Sequence, residues 1–374
     1  MTAVALVQTA TGPLVGYSLA PTKTLATLPP AVLMLAATCA CVLAVPVFER
    51  FGRQAGFLLG AAGSTAGCLL YAAGLWRGSF ALFCLGAVPA GLGFGLMQHL
   101  RFAAAEAVPA GGQGRAIALV LTGGVLASLL GPELIKHTQA LYGPMLFLAT
   151  YLVLAWLPIL AALLLAFTDL PRAERSDVPS APVRDIVLRP AFAVAALAGM
   201  AAHGSMHLVM ASSSVQMVLC GFGADATANV LRFHSLAMFA PGLLTGRLIE
   251  RFGARLVICA GGMLCLGCMA FSVGSTAYPS FFGAMVLLGL GWNGMFTGAT
   301  ALLAQAHAPG ERMRAQAAND MLLSGTVACA FFGSGALHGT AGWAALNVAA
   351  VLPVAVGMWA ALRGRAGRTQ LATA

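Results

Sequence analysis

Apolar runs of about 17–27 residues, parted by short polar turns, make up most of the chain. A helix needs about 20 apolar residues to cross a hydrocarbon core ~30 Å thick, so each run is long enough to span a membrane. The runs lie near 3–19, 27–47, 54–75, 79–105, 115–136 and 141–167, then near 190–218, 225–248, 255–275, 279–305, 315–336 and 341–362. The pattern predicts an all-α membrane protein of about twelve transmembrane helices. Its first run has neither a basic leader nor a small-residue cleavage site, and reads as a span shortened at its start, not as a removed signal peptide.

The least apolar interval, Thr168 to Pro190, is rich in proline and in charges of both signs and predicts a linker. The sequence repeats itself across it. Glu49-Arg50-Phe51-Gly52 returns 201 residues later as Glu250-Arg251-Phe252-Gly253, and Pro109 with Arg115-Ala116 returns about 200 residues on as Pro309 with Arg314-Ala315. Two echoes at one offset indicate a duplicated unit: a six-helix half over 1–167, a cytoplasmic linker over 168–189, and a second six-helix half over 190–374 that ends in a short cytoplasmic tail. Six helices separate the copies, so the halves are parallel repeats related by an axis along the membrane normal.

Composition agrees with a bundle. Hydrophobic residues are 60% of the chain and charged ones 8%, against roughly 25% charged in a soluble domain. The net charge of +9 raises the question of nucleic acid, which the positions of the charges answer. With a cytoplasmic N-terminus, fifteen of the twenty basic residues fall on the cytoplasmic side: Arg50, Arg53, Arg115, Arg172, Arg175, Arg184, Arg189, Arg247, Arg251, Arg255, Arg312, Arg314, Arg363, Arg365 and Arg368. Lys23, Arg77 and Lys136 fall outside, and Arg101 and Arg232 lie within spans. This bias orients the chain in a bacterial inner membrane with both termini in the cytoplasm, and makes the lipid bilayer, not nucleic acid, its partner. The nine cysteines sit mostly inside apolar runs and form no extracellular disulfide framework; Cys265 and Cys268, three apart on one helix, have a spacing that suits a metal or a thiol relay, and as a lone pair they read first as packing. No GxxxxGK[ST], HExxH or GxSxG occurs, which points to a transporter with no permanently bound cofactor and away from an enzyme.

The segment FERFGRQAG at 48–56 resembles the signature loop between helices 2 and 3 of the major facilitator superfamily, with Glu49 where aspartate is usual. The resemblance runs along essentially the whole chain and implies that superfamily's two pseudo-symmetric six-helix halves around a central passage. Gly52 and Gly253 permit tight turns. Around them Glu49, Arg50, Arg53, Glu250 and Arg251 suit gating, with acid and base paired across the halves in one state and parted in another. The plainer alternative is a solvated loop with positive-inside arginines.

Helix 7 carries Met200, His203, Met206, His207, Met210 and Met217 within roughly 120° of arc. Helix 8 carries His234 and Met238, four residues apart and so on one face. In a hairpin turning near Gly221 to Gly223, Met210 lies level with His234 and Met206 with Met238, the second pair near mid-membrane. Thioether and imidazole together suit Cu(I), while methionine is also a gap-filler in apolar helices. A histidine inside a span is costly and points by default to function, as a metal ligand or a proton carrier, with a hydrogen-bonding residue the plainer alternative. MHLVM at 206–210 and HSLAM at 234–238 resemble the paired motifs of the CcoA-type copper importers, and their surroundings resemble both that branch and its flavin-transporting neighbours. The resemblance implies Met206, Met210, His234 and Met238 as copper ligands, with Met200, His203 and His207 secondary. Copper is then the transported substrate, delivered for cytochrome oxidase assembly, and a copper chaperone a partner.

The alternative is an organic solute such as riboflavin, which calls for aromatic stacking and polar donors; Trp292 and Asn293 on helix 10 supply some of these. Drug efflux also fits. Gln98, His99, Arg101, Glu133, Arg232, Asn319 and Asp320 are the other polar groups within spans. Glu133 and Asp320 are the acids suited to proton coupling, and helix-end packing suits each at least as well. Arg101 and Glu133, at opposite ends of antiparallel helices, are not expected to pair.

Overall fold

The computed structural model describes residues 2–100, 103–104, 113–168, 182–308 and 311–363. Arg101, Pro109, Pro309 and most of the linker lie outside the described residues. Helices follow one another where the apolar runs predict them: α1 Thr2–Leu19, α2 Leu28–Phe51, α3 Arg53–Trp76, α4 Phe80–Met97, α5 Gln113–Thr138, α6 Leu148–Ala166, α7 Pro190–Leu219, α8 Ala224–Phe239, α9 Ala254–Gly274 and α10 Tyr278–Ala304. A final helical run of 52 residues, Arg312–Arg363, follows. Unbroken it would be about 78 Å long, more than twice a hydrocarbon core. Gly342, at φ 81°, divides it into α11 (312–341) and α12 (343–363). Eight helical segments meet the length and apolarity needed to cross a membrane, and among the described residues there is no strand.

Three boundaries differ from the pattern, and one of them is that of the sixth helix, which starts at Leu148 and not near 141. The fourth run is interrupted after Met97, where the amides of Gln98 and His99 turn to carbonyls three residues back and tighten the chain at a polar pair, and Leu100, Ala103 and Ala104 are helical again. The eighth is broken at Ala240–Pro241 and resumes as Gly242–Phe252, since proline cannot donate to the helical ladder.

The duplication read from the sequence is present in the backbone. Gly52, between α2 and α3, has φ 84°, and Gly253, before α9, has φ 85°, a left-handed conformation that glycine adopts at no steric cost. Nearly the same offset returns in packing. A Cβ at Gly93 would stand 2.2 Å from the Gly60 carbonyl where α4 crosses α3, and one at Gly291 would stand 2.7 Å from the Gly261 carbonyl where α10 crosses α9. Small residues at these crossings let backbones approach closely, which is how helices gain dispersion contact where lipid removes the hydrophobic drive.

The fold is therefore an all-helical bundle of two pseudo-symmetric halves. Tyr71, Phe83 and Tyr151 centre the first half, with ring centroids 4.8–5.6 Å apart. Met206, Met285, Leu288, Trp292 and Leu346 belong to the core of the second. Large apolar side chains such as Leu163, Leu352 and Trp156 stay exposed on the outer faces, as a lipid-facing surface requires.

The halves meet through α1 with α7, α2 with α11, and α5 with α8. Polar contacts gather at the end carrying the α1–α2 and α11–α12 turns. There the Thr27 hydroxyl donates to the Phe331 carbonyl and accepts the Gly335 amide at 2.9 Å. Gln139 Nε2 donates to Asp225 Oδ1 at 3.1 Å, and Arg232 on α8 forms an ion pair with Glu133 on α5. At the opposite end Glu49, Arg50, Glu250 and Arg251 are exposed. Among the described residues the halves are joined by polar contacts at one end, the closed end, and the repeated turns are exposed at the other.

Candidate functional site

α7 brings His203 and His207 together, one above the other. Each Nδ1 donates to the carbonyl one turn earlier, His203 to Gly199 at 3.1 Å and His207 to His203 at 2.9 Å. Both rings therefore take the same attitude on the helix. They lie parallel within 11°, with centroids 6.0 Å apart.

α10 supplies the wall beside them. Trp292 and Phe296, four residues apart and so on one face, stack at 4.9 Å and 20°. His203 meets both edge-on, at 5.2 and 4.8 Å, and Phe239 of α8 meets Trp292 at 6.1 Å. His207 meets Phe331 of α11 at 5.0 Å. Phe331 also packs into the core of the first half, so the aromatic wall reaches the boundary between halves. Trp292 Nε1 is buried and has no hydrogen-bond partner. His203, His207, Phe239 and Phe296 are half-buried. An arrangement of flat rings, stacked in two pairs that meet edge-on, with one unanswered N–H suits a planar heteroaromatic molecule.

Met206 and Met238 are buried, 2% and 8% exposed, in the packed cluster that holds Trp292. His234 is 1% exposed; its Nδ1 donates to the Met285 carbonyl of α10 at 2.8 Å, and its Nε2 is buried without a partner. Met210 packs at the edge of the same cluster and also against the core of the first half. It faces a cavity of about 30 Å³ with Val7 and Ala10 of α1, Pro132 and Ile135 of α5, and Leu231 and Ser235 of α8. Met200 is half-buried and Met217 buried. The expected face-to-face hairpin of α7 and α8 is not how these helices pack: α8 lies on α10 and α5, while α7 lies on α10, α11, α12 and α1. Sequence neighbours need not be packing neighbours when longer-range partners bury more surface. His234 thus turns to α10 and Met210 to the first half, which parts the pair that equal depth joined. Among the described residues no three of His, Cys, Asp and Glu cluster as a metal site of those ligands would need.

Asn293 has a different task from solute binding. Its Nδ2 donates to the Met238 carbonyl at 2.7 Å and its Oδ1 accepts from Thr245 Oγ1 at 2.5 Å. Met238 and Thr245 flank the Pro241 break, so Asn293 holds the two pieces of the eighth span to α10.

Of the gating set, Glu49, Arg50, Glu250 and Arg251 are exposed, and Gly52 and Arg53 half-buried at the start of α3. Arg50 lies over Phe51 at 5.5 Å and Arg251 over Phe252 at 5.2 Å, the same cation–π contact in both repeats. Glu133 joins Arg232 and, at 3.3 Å, His137. Asp320 is half-buried on α11.

Two features have no counterpart in the sequence reading. In the first half Tyr151 donates to Gln8 Oε1 and shares a 2.7 Å bond with Thr11 Oγ1, joining α1 to α6. A glutamine alone in an apolar run was the available signal. Arg189, just before α7, grips Glu311 with both guanidinium nitrogens, at 2.5 and 2.8 Å. The Arg189 hydrogen bonds, aided by the Ala308 amide, hold the Glu311 carboxyl down to about 2.

The Major Facilitator Superfamily model matches residues 1–306. The riboflavin transporter RfnT of Brucella anthropi is 35% identical over 342 residues, covering 90% of this chain and 85% of RfnT. An uncharacterized MFS-type transporter of Bacillus subtilis, YddS, is 26% identical over 337 residues, covering 84% and 76%. Among solved structures, the E. coli fucose:proton symporter FucP superposes with a TM-score of 0.61 at 17% identity, covering 96% of this chain and 95% of FucP.

Proposed function

We propose, from the premise that the chain belongs to the Major Facilitator Superfamily and is a transporter and not an enzyme, that its solute is a planar heteroaromatic molecule of the riboflavin class. The observation that carries this is the wall of Trp292, Phe296, Phe239 and His203, with Trp292 Nε1 buried and unanswered. The 35% identity to a riboflavin transporter supports it, and favours the organic solute over copper. In this reading the passage lies between the halves, the ring system stacks against α10, and Trp292 Nε1 donates to a ring carbonyl. Transport proceeds as the closed end opens and the ERFG end closes, Glu49, Arg50, Arg53, Glu250 and Arg251 acting there as the gate. Both termini and the 168–189 linker lie on the cytoplasmic side of a bacterial inner membrane.

Flavin fluorescence titrated with purified protein tests the site. Trp292→Leu removes the stacking face and the N–H, and an aromatic contact is worth about 0.5–1.5 kcal/mol beyond its buried area, so affinity should fall at least about threefold. Unchanged affinity would remove Trp292 from the site.

Copper remains a second reading on one observation. His234 Nδ1 is held by a backbone carbonyl and Nε2 is bare, the arrangement by which proteins orient a metal-binding imidazole. Met206 and Met238 share a cluster, and Met210 would have to turn from the α1–α5 boundary to complete the set. Met206→Leu distinguishes the readings, because leucine keeps the volume at a cost usually under ~1.5 kcal/mol and removes the sulfur.

A further inference from the structure

From the hydrogen bonds of His203 and His207 we infer that these residues select a solute carrying a hydroxylated side chain, which they grip through two Nε2 acceptors set one helical turn apart. The inference rests on the flavin-class reading and adds to it which part of the solute the histidines hold.

A backbone carbonyl can only accept, so the ring nitrogen that meets it must carry the hydrogen. Gly199 O and His203 O thereby fix the N–H on Nδ1 of His203 and His207. In the neutral ring the other nitrogen is then a bare lone pair. No protein group hydrogen-bonds to Nε2 of either ring, and unlike His234 Nε2 neither is sealed in packing, so both open onto space. The two rings share one rotamer and lie parallel, 6.0 Å apart between centroids. That is the rise of four helical residues, about 1.5 Å each, so the two Nε2 atoms are also separated by about 6 Å.

This spacing decides what the pair can hold. Two metal–nitrogen bonds of about 2.0–2.1 Å span at most ~4.2 Å, so one ion cannot bridge both nitrogens as the rings stand. Two hydroxyl groups can. Each O–H···N contact reaches about 2.8 Å, and hydroxyls on alternate carbons of an extended polyol chain fall within the resulting reach. The site is acceptor-only at this edge, which favours groups that donate and disfavours carbonyls and carboxylates. His203 also touches Trp292 and Phe296, so a ring stacked on α10 would lead its side chain along α7 toward His207 and Phe331.

The experiment compares riboflavin with lumiflavin, the same ring system with methyl in place of the polyol chain, by fluorescence titration of the purified full chain. The variants are His203→Phe and His207→Phe, which keep a flat ring and lose the acceptor, and His207→Gln, which returns an acceptor oxygen. A net hydrogen bond contributes about 0.5–1.5 kcal/mol, so each Phe variant should bind riboflavin roughly two- to tenfold more weakly. Lumiflavin binding should be unchanged in His207→Phe, which also shows that this variant is folded, while His203→Phe, at the stacking wall, should weaken riboflavin more than lumiflavin, and His207→Gln should recover most of the riboflavin affinity. Equal losses for both flavins, or no loss for either, would overturn the assignment while leaving the flavin reading intact. Wild-type protein that binds neither flavin would overturn the flavin reading itself, and this inference with it.

Discussion

Removing either charge of the Glu133–Arg232 pair should loosen the closed end. The pair joins α5 of one half to α8 of the other, and the side chains are 41% and 27% exposed. At that exposure solvent screens the attraction, so a contribution of about 1 kcal/mol is the reasonable scale, not the several kcal/mol of a buried pair. Since 1.4 kcal/mol is tenfold, Glu133→Gln or Arg232→Gln should raise the open population about fivefold. A cysteine placed at Thr24, against which Gly339 packs at the closed end, reports this through its rate of labelling by a maleimide in lipid nanodiscs. Glu133→Gln/Arg232→Gln should label no faster than either single variant, because the second change removes nothing further. Strictly additive increases, or labelling indifferent to both changes, would refute the latch. His137 also touches Glu133, at 3.3 Å, so His137→Ala serves as the control that isolates Arg232.

Four further outcomes are expected. A reporter fused at Arg184 should show cytoplasmic and not periplasmic activity, since the arginine distribution places the linker inside; periplasmic activity would invert the topology. Glu49→Gln and Arg251→Gln should slow transport and leave flavin affinity nearly intact, and a variant with normal rate and poor affinity would contradict the gating assignment. Gly291→Val should destabilise the second half by at least about 1–3 kcal/mol through overpacking, because even a Cβ there meets Cys265 Sγ at 2.5 Å and the Gly261 carbonyl at 2.7 Å; unchanged thermal stability would argue against that close crossing. Glu311 has its carboxyl lowered by Arg189, so its contribution is present above the ordinary carboxylate range near 4.5 and is lost as pH falls from there toward about 2. The stability difference between wild type and Glu311→Gln should shrink over that window, and a difference indifferent to pH would exclude the pair.

Much of the bundle is legible in the sequence because a membrane imposes its own ruler. Run length located the helices, most of their ends to within a few residues, and the ERFG echo located two glycines whose φ values agree within a degree. What failed was local. Pro241 breaks the eighth span, a rule the apolar run obscured because Gly242–Phe252 continues it in hydropathy. Pairing Met210 with His234 assumed that α7 and α8 face each other, whereas α10 comes between as the partner of both. The same partner explains the aromatic wall: Trp292 is one residue in a sequence, and only the meeting of α7, α8 and α10 sets His203, Phe239 and Phe296 around it. Asn293 beside it looks like a solute donor in sequence and is occupied by the carbonyl that the proline break leaves open. Charges on different halves, such as Glu133 and Arg232, could be paired only once α5 was seen against α8.

Transport by the purified protein in liposomes tests the assigned solute most directly, with labelled riboflavin and copper offered in parallel to wild type, Trp292→Leu and Met206→Leu. Riboflavin should enter through the wild type and through Met206→Leu, and slow sharply in Trp292→Leu, with no protein-dependent copper uptake. Copper accumulation that Met206→Leu abolishes, in vesicles that leave riboflavin outside, would contradict the flavin site and install the methionine–histidine pathway in its place.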